Sequence, residues 1–157
     1  MKSSSRLASL IVVAIALNVT LLVMPPSTAM LDARLFYGAD AAVSFLTTLG
    51  AHGRTMYFIH ECIDLVFITT YTLLLRALTE RWEMRSGALA FLIFAPATSD
   101  LLETVGILVV LGIHPTAPRL LAGALGYFTL FKWISGIAVV VAMLGRKFAR
   151  REPLPKR

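Results

Sequence analysis

Four long apolar runs constrain this chain more than any other feature: residues 7–24, 57–78, 87–113 and 119–144. Each is near or above the roughly 18 residues that an α-helix needs to cross the hydrocarbon core of a bilayer. Lipid offers no hydrogen-bond partners, so a crossing segment must satisfy its own backbone, and a helix does so within one segment. The 157 residues are 57% hydrophobic with a mean hydropathy of +0.77, which leaves too little polar surface to cover a water-soluble core. The expected fold is all-α: one polytopic four-helix membrane bundle occupying the whole of 1–157.

The longest connection, residues 25–56, begins with the helix-stopping pair Pro25-Pro26. Its middle, 39–49, is apolar enough to form a short amphipathic helix lying against the membrane surface on the outer side. A rival reading makes the first run a signal peptide, with Lys2 and Arg6 before it and small residues at Ser27-Thr28-Ala29 for cleavage. The run exceeds the usual apolar core of about 7 to 15 residues, so a retained anchor is expected.

The net charge of +6 and isoelectric point near 10.0 would suit nucleic acid if the basic residues formed one patch. They sit instead at the ends of the apolar runs, which excludes nucleic acid as the partner and points to membrane lipid. Lys2 and Arg6, then Arg76, Arg81 and Arg85, then Arg146, Lys147, Arg150, Arg151, Lys156 and Arg157 fall on one side. Only Arg34, Arg54 and Arg119 fall on the other. Basic residues concentrate on the cytoplasmic side, so a cytoplasmic-membrane protein with both termini inside is expected. Trp82 and Tyr57 read as aromatic anchors at the two interfaces. The single cysteine, Cys62, permits no intramolecular disulfide.

Ionisable residues inside the runs carry the functional information. Asp64 lies in the second, Asp100 and Glu103 in the third and Lys132 in the fourth, while Glu61 is close enough to its outer end to reach water. A charge at mid-membrane costs about 2.5 to 3.5 kcal/mol on insertion scales, so these side chains should face the bundle interior and find partners. Helical spacing agrees: Asp100, Glu103, Thr104 and Ile107 share one face, as do Tyr57, His60, Asp64 and Tyr71, and Phe128, Lys132, Ser135 and Gly136. A rise of 1.5 Å per residue places Asp64 about 10 Å, Glu103 about 15 Å, and Asp100 and Lys132 about 20 Å below the outer ends of their runs. Asn18 and Thr20 reach similar depths, and Pro96 can kink the third helix beside Asp100.

One lysine cannot neutralise three carboxylates. Either some hold protons or a cation is missing, for which His60, an inward-reaching Arg54, a metal ion or a cationic head group are candidates. The plainer alternative is that these groups are interhelical hydrogen-bonding glue. Histidines at 52, 60 and 114 all map outward, but His60-Glu61-Cys62-Ile63-Asp64 lacks the second histidine of HExxH, so no metal site is expected. Ser99 beside Asp100 has no histidine on its own helix to activate it. Gly123 and Gly126 suit close helix packing.

These residues resemble a group of small bacterial four-helix membrane proteins that brings no assigned activity. The likeness rests on Leu31-Asp32-Ala33-Arg34, Gly50 through Gly53-Arg54 to Tyr57, Asp64-Leu65, Asp100 with Glu103, and Lys132-Trp133. It implies that Arg54, Asp64, Asp100, Glu103 and Lys132 act as one constellation. Asp64-Leu65-Val66-Phe67 and Tyr71 are also similar to a stretch in EXPERA-type proteins, which include the emopamil-binding sterol isomerases and the sigma-2 receptor. That resemblance implies a four-helix architecture with an acidic residue on a lipid-accessible cavity. Lys132 departs from it.

The leading expectation is a pocket for an amphipathic, lipid-like or cationic small molecule. Its expected lining is Asn18, Arg54, Tyr57, His60, Asp64, Tyr71, Asp100, Glu103 and Lys132. For an enzyme, Asp64 and Glu103 would donate and accept protons while Asp100 paired with Lys132 holds the shape. A proton-coupled carrier, oligomeric because four helices enclose little space, and an accessory subunit are the alternatives. No cofactor is indicated.

Overall fold

The computed structural model describes residues 2–25, 30–83 and 87–149. The proposed cleavage residues Ser27, Thr28 and Ala29, together with Arg85, Arg150, Arg151, Lys156 and Arg157, lie outside the described residues. Five helices follow in order: α1 Lys2–Val23, α2 Ala39–Thr48, α3 Gly50–Arg81, α4 Gly87–Gly112 and α5 Arg119–Ala149. There is no strand among the described residues. All but α2 are long and apolar enough to cross a membrane. α3 and α5 run to 32 and 31 residues, about 45 to 48 Å of helix, so both outreach a hydrocarbon core about 30 Å thick.

Side-chain distribution follows the apolar runs. Large aliphatics such as Val12, Ile15, Val66, Val105 and Val109 face outward, the pattern of helices whose outer surface meets lipid. Two apolar clusters fill the interior. One, at the end that carries α2, gathers Met30, Leu31, Tyr37, Phe45, Leu46, Tyr57, Ile107 and Leu125. The other, at the opposite end, gathers Leu89, Ile93, Val139 and Met143. The polar side chains of the bundle occupy the layer between them.

Around the bundle α1 packs on α3, α3 on α4, and α4 on α5. α1 and α5 do not pack along one another, and a cavity lies between them. α4 continues unbroken through the buried Pro96.

The amphipathic helix expected on the membrane surface is α2, but it lies on the protein. It buries Ala42, Phe45 and Leu46 against α5 and α3, because these side chains find apolar partners there without leaving the chain. Gly50, at φ +64°, turns the chain directly from α2 into α3 in a conformation that favours glycine. The connection ahead of α2 dips into the bundle. Glycines on α5 make room for it: Gly126 meets the carbonyl of Tyr37 and Gly123 meets Ala39. Close packing was the expected use of both, though the surface approaching them is a connection and the start of α2 rather than another long helix. Burial holds the Tyr37 phenol well above the ordinary tyrosine range, with the Glu103 carboxylate adding to the effect, so Tyr37 brings no charge inward.

A methyl group at Gly126 would collide with backbone that cannot rotate away. Gly126→Ala should lower stability by about 1 to 3 kcal/mol, as overpacking does. Gly145→Ala, with open space around it, should be neutral or stabilising by up to about 1 kcal/mol. Thermal unfolding in mild detergent checks both; equal midpoints for the two variants would show that the connection does not seat against α5.

Candidate functional site

The cavity between α1 and α5 has a volume of about 850 Å³. Asn18, Leu21 and Leu22 of α1 form one wall, and Trp133, Gly136, Ile137, Val140 and Val141 of α5 the other. The floor comes from His60, Asp64, Phe67 and Tyr71 of α3 with Pro96 and Asp100 of α4. Asp32, carried in by the connection, and Lys132 complete the polar end. Polar groups are thus gathered toward the α2 end, and aliphatic side chains line the rest.

Lys132 organises that polar end. Its Nζ lies 2.9 Å from Asp100 Oδ1 and 2.7 Å from Glu103 Oε2, and it donates to the backbone carbonyl of Asp32 at 3.3 Å. An ammonium has three donors, so all three are used. The carboxylates are held from their other sides. The Tyr71 hydroxyl donates to Asp100 Oδ2 at 3.1 Å, and the Thr129 hydroxyl donates to Glu103 Oε1. Asp64 accepts from the Thr104 hydroxyl at 2.9 Å. Beside Lys132, Trp133 Nε1 donates to the carbonyl of Arg34 at 2.9 Å and ties the connection to α5 a second time.

A second group lies closer to α2. Asp32 accepts from the Tyr57 hydroxyl at 3.2 Å. His60 Nδ1 stands 3.7 Å from Glu61 Oε1, and neither it nor either Glu61 oxygen has a hydrogen-bond partner.

Of the nine residues expected in the pocket, Asn18, His60, Asp64, Tyr71, Asp100 and Lys132 line the cavity. Glu103 does not: it is fully buried behind Lys132. Lys132 was expected to pair with Asp100, but it pairs as closely with Glu103, since the three-residue step from Asp100 to Glu103 puts both carboxylates on one face. Tyr57 is a buried support for Asp32, packed edge-on against Phe45, and neither an interfacial anchor nor a cavity residue. Arg54 does not reach the cluster; its guanidinium donates to the Leu46 carbonyl at 3.2 Å and closes the end of α2. Ser99 donates to the Phe128 carbonyl at 2.8 Å, and its place is a shallower groove on the α4–α5 face, with Phe91, Phe94 and Tyr127.

Glu61 is the largest departure. Expected to reach water, it is fully buried, because the connection and α2 cover the end of α3. Asp32 is the residue that helix periodicity missed. No helical spacing governs a connection, and the available signals were an acidic residue beside apolar Leu31 and the place of Leu31-Asp32-Ala33-Arg34 among the stretches that carry the resemblance.

Fold and site together define an all-helical bundle of four candidate membrane spans around a buried acidic cluster with a single lysine. Comparisons with protein-family profiles, curated proteins and solved structures return no match.

If Lys132 is a hub, removing it strands two carboxylates. Lys132→Met should destabilise the protein by about 3 to 5 kcal/mol, the usual loss when a buried pair is broken from one side. Adding Asp100→Asn should restore part of this, and adding Glu103→Gln as well should restore more. Detergent thermal unfolding of the three variants measures it; equal recovery in the double and triple variants would show that Glu103 is not tied to Lys132.

Proposed function

We propose that the protein sits in the cytoplasmic membrane and binds an amphipathic, lipid-like ligand in the cavity between α1 and α5. The observation that carries this reading is the split character of that cavity: Asp32, His60, Asp64, Asp100 and Lys132 at one end, aliphatic side chains of α1 and α5 along the rest. Its volume of about 850 Å³ falls within the roughly 300 to 1,000 Å³ of small-molecule sites. Because α1 and α5 stand apart, the opening between them lies along the outward aliphatic surface, where a chain enters sideways from lipid.

Excess acid selects the head group. Asp32, Glu61, Asp64, Asp100 and Glu103 are answered by the ammonium of Lys132, so a head group with an amine or hydroxyl is favoured over an anionic one. Asp64 is the proton donor or acceptor of any reaction here. It reaches the cavity and carries one hydroxyl bond, whereas Glu103 is enclosed between Lys132 and Thr129. The likeness of Asp64-Leu65-Val66-Phe67 and Tyr71 to the EXPERA-type stretch supports a lipid-accessible acid at this position.

Native mass spectrometry of the full chain in mild detergent tests the ligand. A stoichiometric amphipath should accompany the wild type and be lost from Gly136→Leu, since Gly136 lines the cavity and has open space for a side chain. Asp64→Asn should weaken retention while the fold persists, because an amide keeps the shape but cannot ionise. Bulk lipid in equal amounts on the wild type and Gly136→Leu would sink the reading.

Orientation is tested separately, in a Cys62→Ser background. A cysteine at Ser44, exposed on α2, should react with an impermeant thiol reagent in intact cells, and one at Ser4 should not. The opposite pattern would reverse the assignment drawn from the basic residues.

A further inference from the structure

Glu61 presents a problem that the ligand reading leaves unsolved. A carboxylate with no exposed surface and no hydrogen-bond donor on either oxygen loses its hydration without replacement. Lys132 is not available to it, because its three donors go to Asp100, Glu103 and the Asp32 carbonyl. The nearest polar atom given to it is His60 Nδ1, itself buried and unpartnered. Two buried polar atoms without hydrogen-bond partners therefore face each other at 3.7 Å, and Asp32 completes a triangle whose ligand atoms all lie within 4.8 Å of one another.

We infer that Asp32, His60 and Glu61 hold a divalent transition-metal ion of the zinc or manganese kind. One imidazole with two carboxylates is a donor set for such ions, and bonds of about 2.0 to 2.2 Å place ligand atoms up to roughly 4 Å apart. A modest closure of the triangle reaches that spacing. The supports that ligands need are also present. His60 turns its Nδ1 toward Glu61, the ring atom through which it would bind. Tyr57 donates to Asp32 and sets its carboxylate.

The ion answers the charge excess where it is greatest. Its two positive charges offset Asp32 and Glu61, and Lys132 remains for Asp100 and Glu103. Asp32 and His60 line the cavity whereas Glu61 is enclosed behind them, so the vacant coordination positions face the cavity and accept water or a ligand oxygen. The inference goes beyond the ligand reading and does not depend on it.

The test is metal content. Full-length protein purified without chelator, or stripped and then given zinc or manganese chloride, should carry about one ion per chain and unfold at a higher temperature when loaded. His60→Ala and Glu61→Gln should abolish retention. Tyr57→Phe, which removes only a hydroxyl, should weaken affinity by about 10- to 100-fold. His52→Ala, His114→Ala and Asp40→Asn, all outside the triangle, should bind as the wild type does. Should His60→Ala fail to fold, X-ray absorption of the loaded wild type decides, with one imidazole and otherwise oxygen donors expected. No retained ion and no thermal shift, binding indifferent to His60 and Glu61, two or more imidazoles on the ion, or equal binding of calcium or magnesium would each overturn the inference. Gly136→Leu should keep the ion while losing the amphipath, so the two readings fail separately.

Discussion

The ammonium of Lys132 is the interaction on which the interior of this protein depends. It joins α5 to α4 through Asp100 and Glu103 and joins both to the connection ahead of α2 through the Asp32 carbonyl. In a low-dielectric interior an unanswered charge costs more than any single packing contact recovers, so these groups must be placed together or not be there. Once they are, much else is fixed. The three-residue step between Asp100 and Glu103 sets the rotation of α4, and the Trp133 bond to the Arg34 carbonyl holds the connection along α5.

That arrangement explains why the bundle has one open side. α3, α4 and α5 are locked by packing and by polar bonds such as Tyr71 to Asp100 and Thr104 to Asp64. α1 is held against α3 by packing, and the bond of its Thr20 hydroxyl stays within the helix. A cavity at the α1–α5 side is therefore the place where the walls can part without breaking a buried ion pair.

The two proposals draw on different parts of the same excess of acid. The amphipath reading uses Asp64 and the aliphatic walls, and the metal reading uses Asp32, His60 and Glu61 at the enclosed end. Both would place positive charge or donors where the chain supplies none. Interhelical glue explains Asp100, Glu103 and Lys132, which form ion pairs with one another across α4 and α5, but it does not explain Glu61, whose two oxygens have no hydrogen-bond partner.

Much of the fold was legible in the sequence, because length and apolarity alone predicted four long apolar helices: the structure has four that are long and apolar enough to cross a membrane, three of them extending beyond the apolar runs by several residues. The pairing of Lys132 with Asp100 was legible for a related reason, since two charges at equal depth in an apolar bundle have few partners to choose from. The first connection was not legible. Helical periodicity says which residues share a face, but a connection has no period, and the contacts that fold Asp32 inward span 100 residues between it and Lys132. Burial of Glu61, the retreat of Arg54 to the end of α2 and the seating of Tyr57 beneath Asp32 all follow from that inward turn. The sequence by itself determined the four long apolar helices and the polar faces that would turn inward along them; tertiary structure alone decided which polar residues would meet, because that rests on where the connection ahead of α2 finds room against glycines of a distant helix.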